Sequence, residues 1–432
     1  MTFKMKHPVH VLPFVLLFYF SCSSTPLPRN GPADIPEDFF GMVHAGRTRT
    51  PEEYRLLETM GVKWMLNTFY WESIEHEKGV FDFSEYDKYV DTARKEGKKI
   101  VAVLGYETPW LFPKGKRKRY ISSENLPLFL NYVEETVRHF KGRVDVWNIW
   151  NEPNLMFVYW RGRRKEYIEL TRLAAQRILK VDPDAYIMGG AFWRAPRGLI
   201  KNMHKAGSTE NLDGMAFHPY SIFPQGSTRA HDKLLGILSE INYPGAVWVT
   251  EVGYPTAGWY PTKVSLDKLP AYVVKTISGA AARGARVLLW YQLFDDYNEG
   301  EVPPSRKSDS ELFFGLAYPD YSYKKGAWAY ELCAGFLPGS RYSPGLPERE
   351  NVPSHIVSLC FMGGLSGNNT LILWNDRERP KKVNLYLPAP ASLYDISTGQ
   401  GRPLEETVLD IGSQPLIITW KGPGTPRLSV TK

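Results

Sequence analysis

Two glutamates in this chain stand where acid–base chemistry would need them. Glu152 follows the apolar run Val146-Trp147-Asn148-Ile149-Trp150 and is set in the tripeptide Asn151-Glu152-Pro153. Glu251 ends a second run, Val247-Trp248-Val249-Thr250. An apolar run that stops at a carboxylate reads as a strand delivering that carboxylate to the rim of a sheet. Two such groups facing one another about 5–5.5 Å apart can cleave a glycosidic bond with retention of configuration, one serving as acid and then base, the other as nucleophile. Their surroundings must differ. Glu152 needs apolar neighbours such as Trp150, or the negative charge of Glu251, to stay protonated for part of the cycle. Glu251 must be held ionised by hydrogen bonds.

The elements that would position them alternate along the chain. Thr50-Pro51-Glu52-Glu53 has the form of a capping box with proline at the first helical position, predicting a helix to Met60 that stops at Gly61. Strands are predicted at Phe39–Val43, Val62–Phe69, Lys99–Leu104, Val144–Trp150, Tyr186–Met188, Gly214–Phe217, Val247–Thr250 and Val287–Leu293. Helices fall between and after them: Ser84–Glu96, Glu124–Phe140, Lys165–Lys180, Pro196–Lys205, His231–Ile241, Leu266–Arg283 and Lys324–Cys333. Eight βα units over roughly 300 residues specify an α/β fold, the (β/α)8 TIM barrel, whose catalytic groups sit at the C-terminal ends of the strands. Glu152 then ends the fourth strand and Glu251 the seventh, facing across the mouth. Past Leu337-Pro338-Gly339 the pattern changes to short apolar runs separated by Gly, Pro and Asn, predicting a small all-β, sandwich-like domain. The domain reading is a signal segment over 1–21, a linker over 22–36, the barrel over 37–338 and a β-rich accessory domain over 339–432.

The chain resembles glycoside hydrolase clan A, the retaining β/α-barrel hydrolases. Asn151-Glu152-Pro153 matches the clan's acid/base motif on strand 4, and Thr250-Glu251 its nucleophile on strand 7. Trp71-Glu72-Ser73-Ile74-Glu75, Gly79-Val80-Phe81-Asp82-Phe83 and Phe217-His218-Pro219-Tyr220 look like family 39 and related family 5 enzymes. The resemblance implies that Asn151 donates to the sugar 2-hydroxyl, that His218 and Tyr220 orient or bond the nucleophile, and that Trp290 is a sugar platform on strand 8. Trp110 is a second candidate platform. One departure stands out: relatives commonly read Trp-Val-Arg-x-Asp-Phe at the end of strand 2, and here Leu66 and Thr68 occupy the Arg and Asp places. The Arg supports the nucleophile's charge, and His44 at the end of strand 1 is the candidate substitute. No metal or other cofactor is expected.

Composition bounds the rest. With 432 residues, 43% hydrophobic and 14% aromatic, the chain is neither disordered nor collagen-like. Lys4 and Lys6 ahead of the apolar run Val9–Phe20, then Tyr19-Phe20-Ser21-Cys22, resemble a bacterial lipoprotein signal, with Cys22 as the acylated first residue. The expectation is an exported protein, anchored by lipid at the outer membrane or cell surface. Removing that segment takes the net charge from +7 to 7 − 2 = +5. Basic clusters at Lys114, Lys116, Arg117, Lys118 and Arg119, and at Arg161, Arg163, Arg164 and Lys165, follow strands 3 and 4 and would attract an acidic polysaccharide or anionic lipid. No recognition helix or RNA-binding motif points to nucleic acid. Cys333 and Cys360 are left as either free thiols or a disulfide tying the domains together. The competing reading is a non-catalytic surface lipoprotein that binds glycan or a host protein on a degenerate barrel.

Overall fold

The structure, a computed structural model, describes residues 33–46, 48–112, 119–156, 158–259, 263–297, 308–377 and 379–430. Eight parallel strands close into a barrel: β1 Phe40–Val43, β2 Trp64–Tyr70, β3 Lys99–Gly105, β4 Val146–Ile149, β5 Tyr186–Trp193, β6 Gly214–His218, β7 Ala246–Val252 and β8 Val287–Trp290. The last pairs with the first, Met42 opposite Trp290. Alternation decides what each residue does. On β3, Val101 and Val103 fill the barrel interior with Val43, Leu66, Val146, Met188 and Leu289. Ile100, Ala102 and Leu104 point outward beneath the helices. Burial on both faces is why these strands read as continuous apolar runs.

Eight helices return the chain from strand to strand: α1 Pro51–Thr59, α2 Ser84–Lys95, α3 Leu126–Phe140, α4 Arg164–Val181, α5 Arg197–Lys205, α6 Pro224–Glu240, α7 Leu269–Ala281 and α8 Lys325–Phe336. Thr50 caps α1 by accepting the Glu53 N–H at 3.2 Å, and Gly61 at φ 70° ends the turn beyond it. The α6 helix starts a full two turns before the expected His231, at Pro224, because the proline occupies its first turn and Gly226 does not break it. Strand β5 likewise runs five residues past the expected Met188. It does so through a bulge at Gly190, whose φ of 97° and 2.8 Å clearance between a notional Cβ and Ala216 O leave room for glycine alone.

The tail is built of two packed sheets. One, seven-stranded, contains Arg341–Tyr342, Ile356–Met362, Asn369–Asn375, Leu416–Trp420, Ala391–Tyr394 and Gly401–Pro403; the other contains Glu348–Glu350, Arg427–Ser429, Lys381–Tyr386 and Val408–Ile411. Cys360, Leu371 and Leu373 meet Val383, Leu385 and Leu409 between the sheets. On the opposite face of the first sheet, Leu359, Phe361, Ile372 and Ile417 join the core shared with the barrel helices. The seventh strand is Ala33–Asp34, which pairs antiparallel with Arg341–Tyr342. The end of the stretch read as a linker is therefore part of this sheet. Cys333 and Cys360 are both free and buried, and burial pushes the Cys360 thiol up to about 12.

Candidate active site

Strand β4 ends at Ile149, and the next residues turn sharply. Trp150 and Glu152 have φ of 64° and 44°, conformations that cost energy for side chains with a Cβ and persist only where the surroundings fix them. Here the Trp150 N–H donates to Leu104 O at 3.0 Å and the Glu152 N–H to Ala191 O at 3.0 Å, tying the turn to β3 and β5. The result buries Glu152 to 6% exposure at the barrel mouth. Glu251 is re-aimed by a different device: the pairing of β7 with β8 shifts between Val249 and Val252, a bulge that contains Thr250 and Glu251.

Strand β6 brings the third group. His218, 1% exposed, places Nδ1 at 2.9 Å from Glu152 Oε1 and 3.5 Å from Glu251 Oε2. The Tyr220 hydroxyl donates to Glu251 Oε2 at 3.2 Å. Donor atoms of Glu152, His218 and Glu251 all lie within 4.8 Å of one another. Such a set could close on a divalent ion, and the same spacing is short of the 6.5–9.5 Å that an inverting hydrolase needs to seat a water between its carboxyls. Burial raises the Glu152 carboxyl to about 8. Burial also raises Glu251, to about 7, with His218 and Tyr220 opposing the rise and the Glu152 charge adding to it. Burial lowers His218 from its ordinary value, so the imidazole is neutral at pH 7.

The other expected residues are distributed unevenly. Asn151 is half-buried beside Glu152, and its side chain bonds Tyr106 at the end of β3. His44 Nδ1 is 2.9 Å from Gln292 Oε1, and its ring meets Tyr291 edge-on at 5.4 Å. Trp290 is not a platform: it is fully buried in the core, and its ring packs at 6.0 Å from Tyr254. The pleat puts its neighbour Tyr291 at the mouth instead, against Tyr220 and Phe314. Trp110 is partly exposed on the loop after β3, where its indole N–H donates to Glu75 O at 2.9 Å and its ring meets Trp71. His218, expected on the nucleophile, stands nearer to Glu152.

Leu66 lies in the barrel interior at 3% exposure, so β2 presents no cation to Glu251. The bonded partner of Glu251 among the described residues is Tyr220, with His218 the nearest base. Cys22, Lys114, Lys116, Arg117 and Lys118 lie outside the described residues. Of the basic residues that are described, Arg163 is committed to its own helix: its side chain pairs with Glu166 Oε1 at 2.6 Å, while the Glu166 carboxylate accepts its backbone N–H at 2.8 Å. Arg119 donates to Val158 O at 2.8 Å.

Sequence reasoning missed two groups. Glu311, on the one-turn helix Ser310–Phe313 beyond β8, accepts from the Tyr291 hydroxyl at 3.2 Å. Its side chain opens to the cleft yet is ringed by protein atoms, and this desolvation, with Asp309 and Glu152 adding to it, lifts its carboxyl to about 7. No strand pattern points to it, because it sits on a loop. Trp193, at the end of β5, is 40% exposed and was hidden by the glycines that seem to end that strand too early.

The family model for glycosyl hydrolase family 10 matches residues 41–165, from β1 into the start of α4. An endo-1,4-β-xylanase B of Thermotoga neapolitana is 25% identical over 211 residues, 44% of this chain and 58% of that enzyme. A β-xylosidase of Caldicellulosiruptor saccharolyticus is 30% identical over 124 residues, 26% of this chain and 25% of that one. The chain thus spans little more than half the length of the first of these curated relatives. Among solved structures, a family 39 glycoside hydrolase from Bacteroides cellulosilyticus superposes with a TM-score of 0.74 at 21% identity, covering 90% of this chain and 81% of that one. A family 39 β-xylosidase from Caulobacter crescentus gives 0.62 at 15% identity, covering 91% and 98%. The closed barrel and its β-rich tail thus share the fold of family 39 glycoside hydrolases, and the sequence matches are to glycosyl hydrolase family 10, a xylanase and a β-xylosidase.

Proposed function

We propose that this protein is a retaining glycoside hydrolase in which Glu251 is the nucleophile and Glu152 the acid/base. The observation that carries the reading is the approach of two carboxylates, Glu152 buried and Glu251 partly buried, to within 4.8 Å across the mouth of the barrel. Glu251 attacks the anomeric carbon while Glu152 hands its proton to the leaving oxygen, giving a covalent glycosyl-enzyme. Glu152, now a carboxylate, then takes a proton from water as that water attacks the same carbon and releases Glu251. The Tyr220 hydroxyl holds Glu251 in line for attack, and burial keeps Glu152 protonated until the bond breaks.

The names of the relatives make xylo-oligosaccharides and aryl β-xylosides the first substrates to test. A fluorinated aryl glycoside should add one sugar mass to wild type and none to Glu251→Ala, and Glu152→Ala should regain turnover in azide as a glycosyl azide of retained configuration. An inverted product, or labelling of a different residue, would overturn the assignment. We further propose that the mature chain starts at an acylated Cys22 and works at the cell envelope, on the support of the lysines, apolar run and cysteine before the barrel.

A further inference from the structure

The rim between β5 and β6 carries a cation with much of its hydrogen-bonding capacity unused. Arg194 directly follows β5, its backbone N–H donating to His218 O at 2.8 Å. Its Nε donates to Tyr220 O at 3.1 Å and one Nη to Ser221 Oγ at 3.4 Å. No carboxylate among the described residues pairs with it, unlike Arg197 with Glu240, Arg283 with Asp232 or Arg286 with Asp38. The guanidinium is exposed and lies 5.3 Å from the ring of Trp193. Asn154, two residues past Glu152, fixes the Trp193 backbone with bonds of 3.1 and 2.8 Å. Ile222 and Phe223, 42% and 58% exposed, follow on the same rim.

One end of this patch is therefore tied to the Glu152 loop through Asn154, and the other to Tyr220, whose hydroxyl reaches Glu251. A guanidinium presents its N–H groups as a planar fork that matches a carboxylate, and an exposed indole offers a flat apolar face to a ring. At the cleavage position the charge is opposite. Glu152, Glu251 and Glu311 act on one another there, so a sugar carrying its own carboxylate would meet like charge. The cleft is divided: carboxyls at its centre, a guanidinium at its rim.

We propose that Arg194 and Trp193 form a subsite for a uronic acid residue or branch, beside a neutral sugar held at Glu152 and Glu251. This rests on the glycoside hydrolase reading and names its substrate class. The test is calorimetric binding to the full chain carrying Glu251→Ala, which cannot turn substrate over. The probes are oligosaccharides from glucuronoxylan, pectin, alginate and a hyaluronan-type glycan, each paired with its carboxyl-reduced counterpart. At least one should bind about tenfold more tightly than its reduced partner, the effect of a charge-assisted bidentate pair. Arg194→Gln should bring that ratio to about one and Arg194→Lys to an intermediate value, with thermal unfolding confirming that both are folded. Lys95→Gln, in the last turn of α2 at the opposite end of the barrel, removes the same charge and should leave the ratio as it was. No preference in any pair, or a preference that survives Arg194→Gln, overturns the subsite. Hydrolysis of neutral aryl glycosides by wild type, compared with Glu251→Ala, reads the parent reaction separately, since it needs no carboxylate.

Discussion

His218 Nδ1 lies 2.9 Å from Glu152 Oε1, and both side chains are buried. Burial holds the imidazole neutral and the carboxyl protonated, so the two share a single hydrogen bond without either carrying a charge. Glu251 Oε2, 3.5 Å from the same nitrogen, titrates lower than Glu152, at about 7, and so ionises first.

The pH dependence of kcat/KM should follow from that order. The proposed mechanism requires Glu251 ionised and Glu152 protonated, and the pair titrates at about 7 and about 8. A narrow bell with its optimum between pH 7 and 8 is expected for hydrolysis of an aryl glycoside. An optimum near pH 5 would show that both carboxyls ionise in their ordinary range.

Tyr220→Phe deletes the bond that opposes the rise of Glu251. The ascending limb of the bell should move to higher pH, and kcat should fall by about tenfold, as for one lost hydrogen bond to a charged group. A change in KM alone, with the limb unmoved, would place the hydroxyl on substrate instead.

Stability should move with pH in a sense set by Glu152. Its folded carboxyl titrates near 8 against an ordinary 4.5, so the folded state holds a proton that the unfolded chain has released. Stability is then lost as pH rises from about 4.5 to about 8, and the loss is complete above that. Glu152→Gln removes it, so the variant should gain on the order of 2–4 kcal/mol over wild type at pH 8 and almost nothing at pH 4.5. Denaturant unfolding at the two pH values measures the difference.

The donor set of Glu152, His218 and Glu251 suits a borderline-soft divalent ion as well as it suits proton transfer. Micromolar Zn²⁺ should inhibit competitively with a glycoside, and His218→Gln should weaken that inhibition by about tenfold. A chelator should reverse the inhibition and leave untreated enzyme unchanged. Activity abolished by chelator alone would mean that the site works through a metal.

Mass spectrometry of protein isolated from membranes of an expressing bacterium should find the first residue to be a diacyl- or triacyl-Cys22. Cys22→Ala should shift the protein to the soluble fraction. An unmodified start at another residue would remove the anchor from the account.

The barrel was legible because its strands are buried on both faces: Lys99–Leu104 and Val247–Thr250 read as apolar runs wherever a tertiary partner sits. The rim was less so. Trp290 and Tyr291 are adjacent aromatics, and which of the two faces the cleft depends on the pleat, which the sequence does not register when both are apolar. Glu311 lies beyond the last strand on a loop, where no periodicity marks it. In the tail, Glu348–Glu350 and Gly401–Pro403 are strands by virtue of their neighbours alone, since neither carries an apolar alternation. The start of α6 and the end of β5 lie beyond their predicted bounds, and each passes through glycine: Gly226 inside the helix, and Gly189 and Gly190 where the strand packs closely on its neighbours.

The pairing of Ala33–Asp34 with Arg341–Tyr342 also determines where a load on the N-terminus would be felt. Asp34 grips Arg341 with two bonds of 2.7 and 3.1 Å, and Ile35 exchanges backbone bonds with Gly339 and Ser340. These contacts lie at the foot of the barrel, where β1 begins and α8 has just ended. Tension on the leading segment is thus taken up by the tail sheet before it reaches β1. With ten residues, and so eleven Cα–Cα steps, between Cys22 and Ala33, a chain anchored at Cys22 would reach no more than about 40 Å from it to Ala33. An anchor at Cys22 would therefore set the foot of the barrel toward the membrane and the mouth, with Glu152 and Glu251, away from it.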